Sequence, residues 1–351
     1  MIGRKLQNGK YQIESVLGHG GMGQVFLATY TKLDNPIALK QVRGDQPLPE
    51  SVIEELDDLL YHKTDTPPGR HKAQPLHMSP LDNDFPVTGG ANTDRFLREA
   101  LLLVRLHHPA LPRLFDYFFE DGYWYLVMEY IPGPTLATYI RQHAPLPPLE
   151  AINYAMQLCD VLDYFHKQTP PVIFRDLKPS NIILNPDGRL MLVDFGIARY
   201  FKTGQVNDTT DFGSPGYASP EQHQGLGQTD ARSDLFSLGV ILHEMLSGQR
   251  PTSNPGNRSD SDQFPLLHQI NPDISPVLIA LVSIATRPEP AQRFQSASNM
   301  YQALERARRV EERRAYYRHI TQNALPTDSV PATPHNTEIA PPSSPGQGQA
   351  T

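Results

Sequence analysis

The order of apolar and polar residues in the first third of the chain predicts β-strands. Residues 11–43 and 93–131 contain runs of β-branched and aromatic residues that are typical of strands. The stretch 93–106 differs, because its apolar residues Phe96, Ala100 and Leu103 share one face of a helix. The pattern therefore predicts a small β-rich unit that contains one helix.

From about residue 149 the periodicity becomes helical. One stripe of residues at helical spacing runs through Ile152, Ala155, Cys159, Leu162 and His166. The cysteine lies on this stripe, so we interpret it as a core thiol rather than a reactive one. A β-rich unit followed by a larger helical unit predicts an α+β protein with two lobes.

Proline and acidic residues set one segment apart from these two units. Residues 44–92 contain seven of the 34 prolines, and nine acidic residues against three basic ones. Only the stretch 51–62 is periodic, with apolar residues at Ile53, Leu56, Leu59 and Leu60. We predict an acidic, proline-rich insert with one helix. It is either a regulatory arm or a passive loop, and the passive loop is favoured.

The C-terminal end changes character twice. Residues 304–320 combine helical periodicity with six arginines against three glutamates, which predicts a basic terminal helix. Residues 321–351 contain six prolines, many Ser, Thr and Gln residues, and only two charged residues. Such a composition buries too little apolar surface to offset its ordering entropy, so we expect this tail to be disordered.

The composition of the whole chain argues against several classes of protein. The 351 residues carry a formal charge of −7, whereas a general nucleic-acid binder presents a basic face. No apolar run reaches the roughly 20 residues of a membrane-spanning helix. The first residues lack the apolar core of a signal peptide, and one cysteine cannot form an internal disulfide. We therefore expect a soluble, cytoplasmic protein that has no membrane span and binds no nucleic acid.

Glycines at G-x-G-x-x-G spacing lie between Leu17 and Val25, where the sequence reads LGHGGMGQV. Without a Cβ atom, such glycines let the backbone approach phosphates closely. Dinucleotide-binding folds use the same spacing, but they need a helix after the glycines. Residues 24–30 are instead β-branched and aromatic, which predicts a hairpin laid over a nucleotide. An ordinary glycine-rich hairpin remains an alternative at this point.

Lys40 lies in an apolar strand, where an unpartnered charge is costly to bury. The cost is offset if its ammonium group meets phosphates on one side and a carboxylate on the other. Glu99, on the predicted helix of residues 93–106, is the candidate carboxylate. On these two residues alone, a functional pair and a surface pair are equally consistent with the sequence.

The strongest chemical signal is an ordered set of polar residues between positions 174 and 196. Phosphoryl transfer from a nucleotide needs a base that orients the acceptor, cations over the phosphates, and oxygen ligands for magnesium. Asp176 can accept the proton of a hydroxyl group, and Lys178 can balance charge on the moving phosphoryl group. Asn181 and Asp194 offer oxygen ligands. A chance match to the whole ordered set is implausible.

Together these motifs resemble those of the eukaryotic-type (Hanks-type) Ser/Thr protein kinases. The segments LGHGGMGQVFLA and YASPEQ are most similar to the bacterial branch. The resemblance covers residues 11–305 apart from the insert. It implies a bilobal fold with an N-lobe of residues 11–131 and a C-lobe of residues 132–305, and ATP and Mg2+ as cofactors. The ATP-binding residues that it implies are Leu17, Gly18, Gly20, Gly21, Gly23, Val25, Ala38, Lys40, Glu99, Met128, Glu129 and Ile131.

The same resemblance implies the catalytic roles. Asp176 would be the catalytic base and Lys178 would assist it, with Asn181 and Asp194 as the magnesium ligands. Lys178 is typical of Ser/Thr kinases rather than tyrosine kinases. Residues 213–221 resemble the segment that docks a protein substrate, which small-molecule kinases of related fold lack.

Other matches and departures concern structure and regulation. Asp234 resembles the aspartate that braces the catalytic loop, and Arg293 resembles the arginine that pairs with Glu221. Phe174 stands where the family has a histidine, and we expect this change to be tolerated. Arg175 resembles the arginine that captures an activation-loop phosphate. Such a phosphate would gain charge-assisted hydrogen bonds and order the loop; the candidate phosphosites are Thr203, Thr209 and Thr210, with the last two favoured.

The sequence therefore predicts a serine/threonine protein kinase with protein substrates, itself included. Self-association for trans-autophosphorylation is an expected consequence. Two alternatives stay open: a pseudokinase that binds without turnover, and a small-molecule phosphotransferase. The presence of Lys40, Asp176 and Asp194 disfavours the first. The segment 213–221 disfavours the second.

Overall fold

The structure is a computed structural model that describes residues 1–20, 23–44, 47–61, 91–196, 198–201, 213–222, 229–250 and 267–323. Residues 1–312 form one compact unit, and residues 313–351 form a second. Most of the predicted insert and most of the predicted tail lie outside the described residues.

A six-stranded antiparallel sheet builds the N-terminal part of the first unit. Its strands are β1 (Lys5–Leu6), β2 (Tyr11–Gly20), β3 (Gly23–Tyr30), β4 (Asn35–Arg43), β5 (Leu114–Glu120) and β6 (Tyr123–Glu129). Their spatial order is β1–β2–β3–β4–β6–β5. The sequence pattern predicted strands in these regions but missed β1, whose two residues are too few to show alternation.

Successive side chains of β4 belong to two different hydrophobic cores, one on each face of the sheet. Ile37 and Leu39 belong to a small core on one face. Ala38 and Val42 belong to the large core on the other face, which also contains residues of the neighbouring helices. Because successive side chains of a strand point to opposite faces, Lys40 shares the helix-covered face with Ala38 and Val42.

Two helices cover this face of the sheet. They are α1 (Glu50–Tyr61) and α2 (Ala91–Arg105), and both begin and end within two residues of the helices that periodicity predicted. Phe96 of α2 stacks on Trp124 of β6, with ring centroids 4.8 Å apart. The predicted apolar face of α2 is buried in the large core.

Helices dominate the rest of the first unit. They are α3 (Leu136–His143), α4 (Pro148–His166), α5 (Ala231–Ser247), α6 (Leu267–Ile270), α7 (Pro276–Ala285) and α8 (Ala297–Asn323), of which residues 297–312 belong to this unit. Two short antiparallel pairs accompany them: β7 (Val172–Ile173) with β10 (Arg199–Tyr200), and β8 (Ile182–Leu184) with β9 (Leu190–Leu192). Helix α5 is buried from Ser233 to Ser247 and forms the centre of this part. None of the described helices has both the length and the apolar character that crossing a membrane requires.

Helix α8 extends beyond the predicted terminal helix at both ends. The sequence predicted a helix over residues 304–320 and a disordered tail from residue 321, but the helix begins at Ala297 and ends at Asn323. The added N-terminal part is helical because Ala297 and Met300 are buried in the large core, next to Leu304 and Ala307. Ion pairs at i, i+4 spacing, such as Glu305–Arg309 at 3.1 Å, stabilise its exposed side. Residues 324–351 lie outside the described residues, so their disorder stays a prediction.

Candidate active site

A cleft of about 620 Å³ opens between the sheet and the helical part of the first unit. Its lining brings together these residues that the sequence singled out: Leu17, Gly18, Gly23, Val25, Ala38, Lys40, Glu99, Met128, Glu129, Ile131, Asp176, Lys178, Asn181 and Asp194. Gly20 pairs with Gly23 at the end of the β2–β3 hairpin. Gly21 and the candidate phosphosites Thr203, Thr209 and Thr210 lie outside the described residues.

The ammonium group of Lys40 bridges two carboxylates in this cleft. Its Nζ lies 2.7 and 2.6 Å from the two oxygens of Glu99, and 2.7 Å from Oδ1 of Asp194. Lys40 is 5% exposed and Glu99 is 2% exposed, so they are not a surface pair. Burial alone would lower the pKa of Lys40, but the two carboxylates outweigh it and raise that pKa.

Asp194 presents an ionised carboxylate to the cleft. Burial alone would raise its pKa, but the charge and hydrogen bond of Lys40, with a smaller contribution from Lys178, hold that pKa below its ordinary value. Asp194 has a φ of 69°, in the left-handed region that non-glycine residues rarely adopt. The preceding Val193 N–H donates to the carbonyl of Asn181 at 2.9 Å, which ties Asp194 to the other candidate metal ligand.

The candidate base Asp176 lies in a network with Lys178, Asn181 and Ser214. Its Oδ2 accepts hydrogen bonds from Lys178 Nζ at 2.7 Å and from Asn181 Nδ2 at 3.1 Å. Its Oδ1 accepts from the Ser214 hydroxyl at 2.8 Å, and Lys178 also donates to Ser214 Oγ at 2.7 Å. A single 3-10 turn at Pro179–Asn181 brings Asn181 back to Asp176. The network joins the candidate base to the segment that resembles a substrate-docking segment.

Asp234 of α5 holds the backbone that precedes the base. Its carboxylate accepts from the N–H groups of Phe174 at 3.0 Å and of Arg175 at 2.8 Å, and the His166 ring lies 2.9 Å from it. Arg175 has a φ of 69°. A residue in this region persists only when its surroundings hold it there. The contacts of Asp234 agree with the bracing role that the sequence predicted for it.

The unusual Phe174 packs where a histidine is expected. Its ring meets Phe195 edge-on, with centroids 5.3 Å apart, and lies parallel to Phe165 at 6.2 Å. All three rings are buried. Because Phe195 directly follows Asp194, this aromatic cluster connects the segment of the base to the segment of the candidate metal ligand. The packing is consistent with the tolerance that we expected at this position.

The glycine-rich segment is a hairpin. Strands β2 and β3 pair antiparallel, with Gly18 opposite Val25, and no helix follows the glycines. Gly23 has a φ of 154°, and a Cβ atom there would lie 1.8 Å from the carbonyl oxygen of Gln41. A side chain at Gly23 would therefore push β3 away from β4. This geometry excludes the dinucleotide-binding alternative, which requires a helix at this point.

An internal ion pair fixes the end of the segment 213–222. Arg293 donates from two nitrogens to the two oxygens of Glu221, both at 2.7 Å, as the sequence predicted. The Arg293 guanidinium also lies 4.9 Å from the ring centroid of Phe236. Burial would raise the pKa of Glu221, but the hydrogen bonds and charge of Arg293 outweigh it and lower that pKa.

This pair predicts a particular loss of stability in acid. A carboxyl group whose pKa is lower in the folded than in the unfolded state stabilises the fold above its unfolded value of 4.5, and this contribution disappears as the pH falls. We therefore expect the melting temperature of Glu221→Gln to be lower than that of the wild type at pH 7. The difference should shrink as the pH falls below 4.5, because the unfolded chain then takes up the proton, and it should vanish once the pH has passed the lowered pKa of the folded carboxyl. A difference that stays constant across this range would contradict the assignment.

Several contacts at the site escaped the sequence analysis. The Arg175 Nε donates to Thr229 Oγ1 at 2.9 Å, and its carbonyl accepts from Gln222 Nε2 at 2.8 Å. Ile183 and Val193 add apolar surface to the cleft. Their position in the sequence could have indicated this role, because each lies within two residues of a candidate metal ligand. Thr229 carried no local signal, because it lies 54 residues from Arg175.

Comparison with known proteins identifies the family of this chain. The family model described as the protein kinase domain matches residues 87–305, more than half of the chain. The match begins after most of the insert, so strands β1 to β4 lie outside it.

Curated relatives align over a longer part of the chain. The serine/threonine-protein kinase PrkC of Bacillus subtilis is 30% identical over 306 residues, which are 86% of this chain and 40% of that protein. Serine/threonine-protein kinase C of Synechocystis is 32% identical over 86% of this chain and 50% of its own length. The corresponding values for PknB of Mycobacterium leprae are 30%, 83% and 42%. The chain thus spans half or less of these relatives. With the two lobes, the cleft and the family match in agreement, the chain belongs to the protein kinase domain family.

Proposed function

We propose that this chain is a serine/threonine protein kinase that transfers the γ-phosphoryl group of ATP to Ser and Thr hydroxyls of proteins. We assign residues 11–305 to the kinase domain. One observation carries the proposal: four side chains of the required chemistry line the same cleft. They are a buried ammonium group, a hydrogen-bonded carboxylate and two further oxygen donors, from Lys40, Asp176, Asn181 and Asp194. These are the parts that positioning and charge stabilisation require in phosphoryl transfer.

The cleft fits the cofactors of its family, which are ATP and a divalent metal ion. We propose Mg2+ as the metal, because Asn181 and Asp194 offer the hard oxygen ligands that Mg2+ prefers. The lowered pKa of Asp194 keeps this carboxylate ionised. When bound, Mg-ATP supplies the phosphoryl group, and the metal neutralises part of its charge.

The protein residues then position the acceptor and the phosphates. Lys40, held by both oxygens of Glu99, presents its charge to the phosphates. Lys178 and Asn181 fix Oδ2 of Asp176, while its Oδ1 accepts from a hydroxyl group, that of Ser214, at 2.8 Å. Since Oδ1 already accepts a hydroxyl donor in this geometry, it is suited to receive the proton of a substrate hydroxyl.

The segment 213–222 supports a protein acceptor. It is held at three points: Ser214 contacts Asp176, the Tyr217 hydroxyl donates to Glu244 at 2.6 Å, and Glu221 binds Arg293. An ordered stretch beside the base can align an extended peptide. A second candidate function, a binding module without turnover, gains no support from the cleft, because Lys40, Asp176 and Asp194 all line it.

A turnover assay tests the proposal. The purified protein is incubated with labelled Mg-ATP and casein, and phosphorylated residues are mapped, while a thermal-shift assay measures nucleotide binding. We expect a raised melting temperature together with phosphoserine and phosphothreonine in casein. Binding without turnover would favour the binding module, and ADP release without phosphoprotein would favour a small-molecule acceptor.

Autophosphorylation provides a separate prediction. We propose that two copies phosphorylate each other in the activation loop, which lies between Asp194 and Glu221, and that Arg175 binds the resulting phosphate. After dephosphorylation and renewed incubation with Mg-ATP, peptide mapping should find phosphate on Thr203, Thr209 or Thr210, with the last two preferred, and activity should rise. A fully active preparation with all three threonines unmodified would contradict this part of the proposal.

A further inference from the structure

Helix α1, the described start of the insert, is packed against the core. Leu56 is fully buried. Its neighbours Val52, Ile53, Leu59 and Leu60 pack against the large core, to which Phe96, Leu97, Ala100 and Leu101 of α2 belong. A helix with an apolar stripe on one side and acidic residues on the other is stabilised by burying that stripe. The described start of the insert is therefore part of the folded lobe.

Polar contacts attach α1 to the sheet as well. The Tyr117 hydroxyl of β5 lies 2.8 Å from Oδ1 of Asp57 and 3.1 Å from the carbonyl oxygen of Ile53, and its proton can be donated to either acceptor. At the end of α1, the Tyr61 hydroxyl donates to Oδ1 of Asp116, also on β5, at 3.1 Å. These contacts fasten two successive turns of α1 to an element of the sheet.

A third set of contacts connects α1 to α2. Arg105, in the last turn of α2, forms an ion pair with Glu55 at 3.4 Å, beside the apolar contacts. Arg105 lies six residues after Glu99 on the same helix. Helix α1 thus contacts both the helix that carries Glu99 and the sheet that carries Lys40.

We infer that helix α1 is a positioning element for the Lys40–Glu99 pair. The carboxylate of Glu99 lies 2.6 Å from Lys40 Nζ, so a shift of α2 by more than about an ångström breaks the contact. By holding α2 against β5, α1 raises the population of molecules in which the pair is formed. Tyr117 and Asp57 are then positioning residues that act through Glu99. The inference rests on the proposed kinase function, because the Lys40–Glu99 pair affects turnover only if the protein is a kinase. On this inference, the described start of the insert has a role in activity and is not a passive loop.

Tyr117→Phe is the most conservative test. It removes one oxygen atom and keeps the ring, and Asp57→Ala removes the partner. We expect each variant to lower kcat by roughly 3- to 10-fold, which corresponds to the net loss of about one hydrogen bond. The KM for casein should not change, because the polar contacts described for α1 are made with α2 and β5, not with the segment 213–222. Glu54→Ala, which removes an exposed carboxylate from the same helix, is the matched control and should leave kcat unchanged.

A double-mutant cycle separates positioning from general destabilisation. If Tyr117 acts through Glu99, Tyr117→Phe should have no further effect on kcat in a Glu99→Gln background. A residue that only supports the fold would reduce kcat by the same factor in both backgrounds. If Tyr117→Phe and Glu99→Gln reduce kcat independently, so that their two factors multiply in the double variant, the inference is overturned.

Hydrogen exchange tests the inference without any turnover. In Tyr117→Phe, peptides from α2 should exchange faster than in the wild type, while those from α5 should exchange at the same rate. Unchanged exchange in α2 would overturn the inference even if the kinase is active. Conversely, a wild-type protein without turnover, but with faster α2 exchange in the variant, would refute the proposed function and leave the role of α1 standing.

Discussion

Asp176→Asn is expected to lower phosphoryl transfer to protein by roughly 10²- to 10⁴-fold, the range that general acid–base catalysis contributes. An amide has the same shape as the carboxylate but cannot take the proton of a substrate hydroxyl. Its charge is also lost beside Lys178, which lies 2.7 Å from Oδ2. Initial rates with labelled ATP and casein measure the effect.

Two controls make this result specific to the base. Asp187→Asn makes the same chemical change at an exposed turn and should keep the wild-type rate. The thermal shift that Mg-ATP produces should survive in Asp176→Asn, because this residue is proposed to act on the acceptor rather than on the nucleotide. If Asp176→Asn retained more than about a tenth of the wild-type rate, general base catalysis by Asp176 would be refuted.

Lys40→Met should be the second large effect, with turnover lowered by roughly 10²- to 10³-fold, as expected for removing a charge that stabilises the transition state. Methionine fills a similar volume but leaves Glu99 and Asp194 facing each other without the cation that bridges them at 2.6 to 2.7 Å. Breaking one side of a buried ion pair costs about 3 to 5 kcal/mol, so the melting temperature should also fall. Rates and melting curves of the purified variant measure both effects.

The pH dependence of Lys40→Met provides an internal check. Burial raises the pKa of Glu99 even beside Lys40. A carboxyl group whose folded pKa is raised stabilises the fold at low pH and loses this contribution as the pH rises. The variant should therefore become less stable as the pH rises, and it should regain stability as the pH falls toward the unfolded value of 4.5. Lys32→Met, at an exposed turn, should match the wild type in rate and stability. A Lys40→Met enzyme with normal turnover would contradict the role of the buried pair.

The sequence predicted the candidate site better than the contacts that hold it. Asp176, Lys178 and Asn181 lie within six residues of each other, so their common role could be inferred from local spacing. Lys40 and Glu99 are 59 residues apart, and their pairing depends on the tertiary contact between one face of β4 and one face of α2.

Other features depend on tertiary packing that no local pattern encodes. The left-handed φ of Arg175 and of Asp194 goes against the preference of both residue types, and distant partners such as Asp234 hold the first of them. The docking of α1 depends on Tyr117, which lies 60 residues from Asp57. Helix α8 begins before the predicted boundary because Ala297 and Met300, which precede that boundary, are buried in the large core.

The most direct test of the central claim compares two products of one reaction. Wild-type protein and Asp176→Asn are incubated with Mg-ATP and casein, and ADP is counted against newly formed phosphoserine and phosphothreonine. We predict equal amounts of ADP and phosphorylated residues for the wild type, and almost none of either for the variant. Equal yields from both proteins, or ADP with no phosphoprotein from the wild type, would mean that this cleft does not catalyse phosphoryl transfer to proteins.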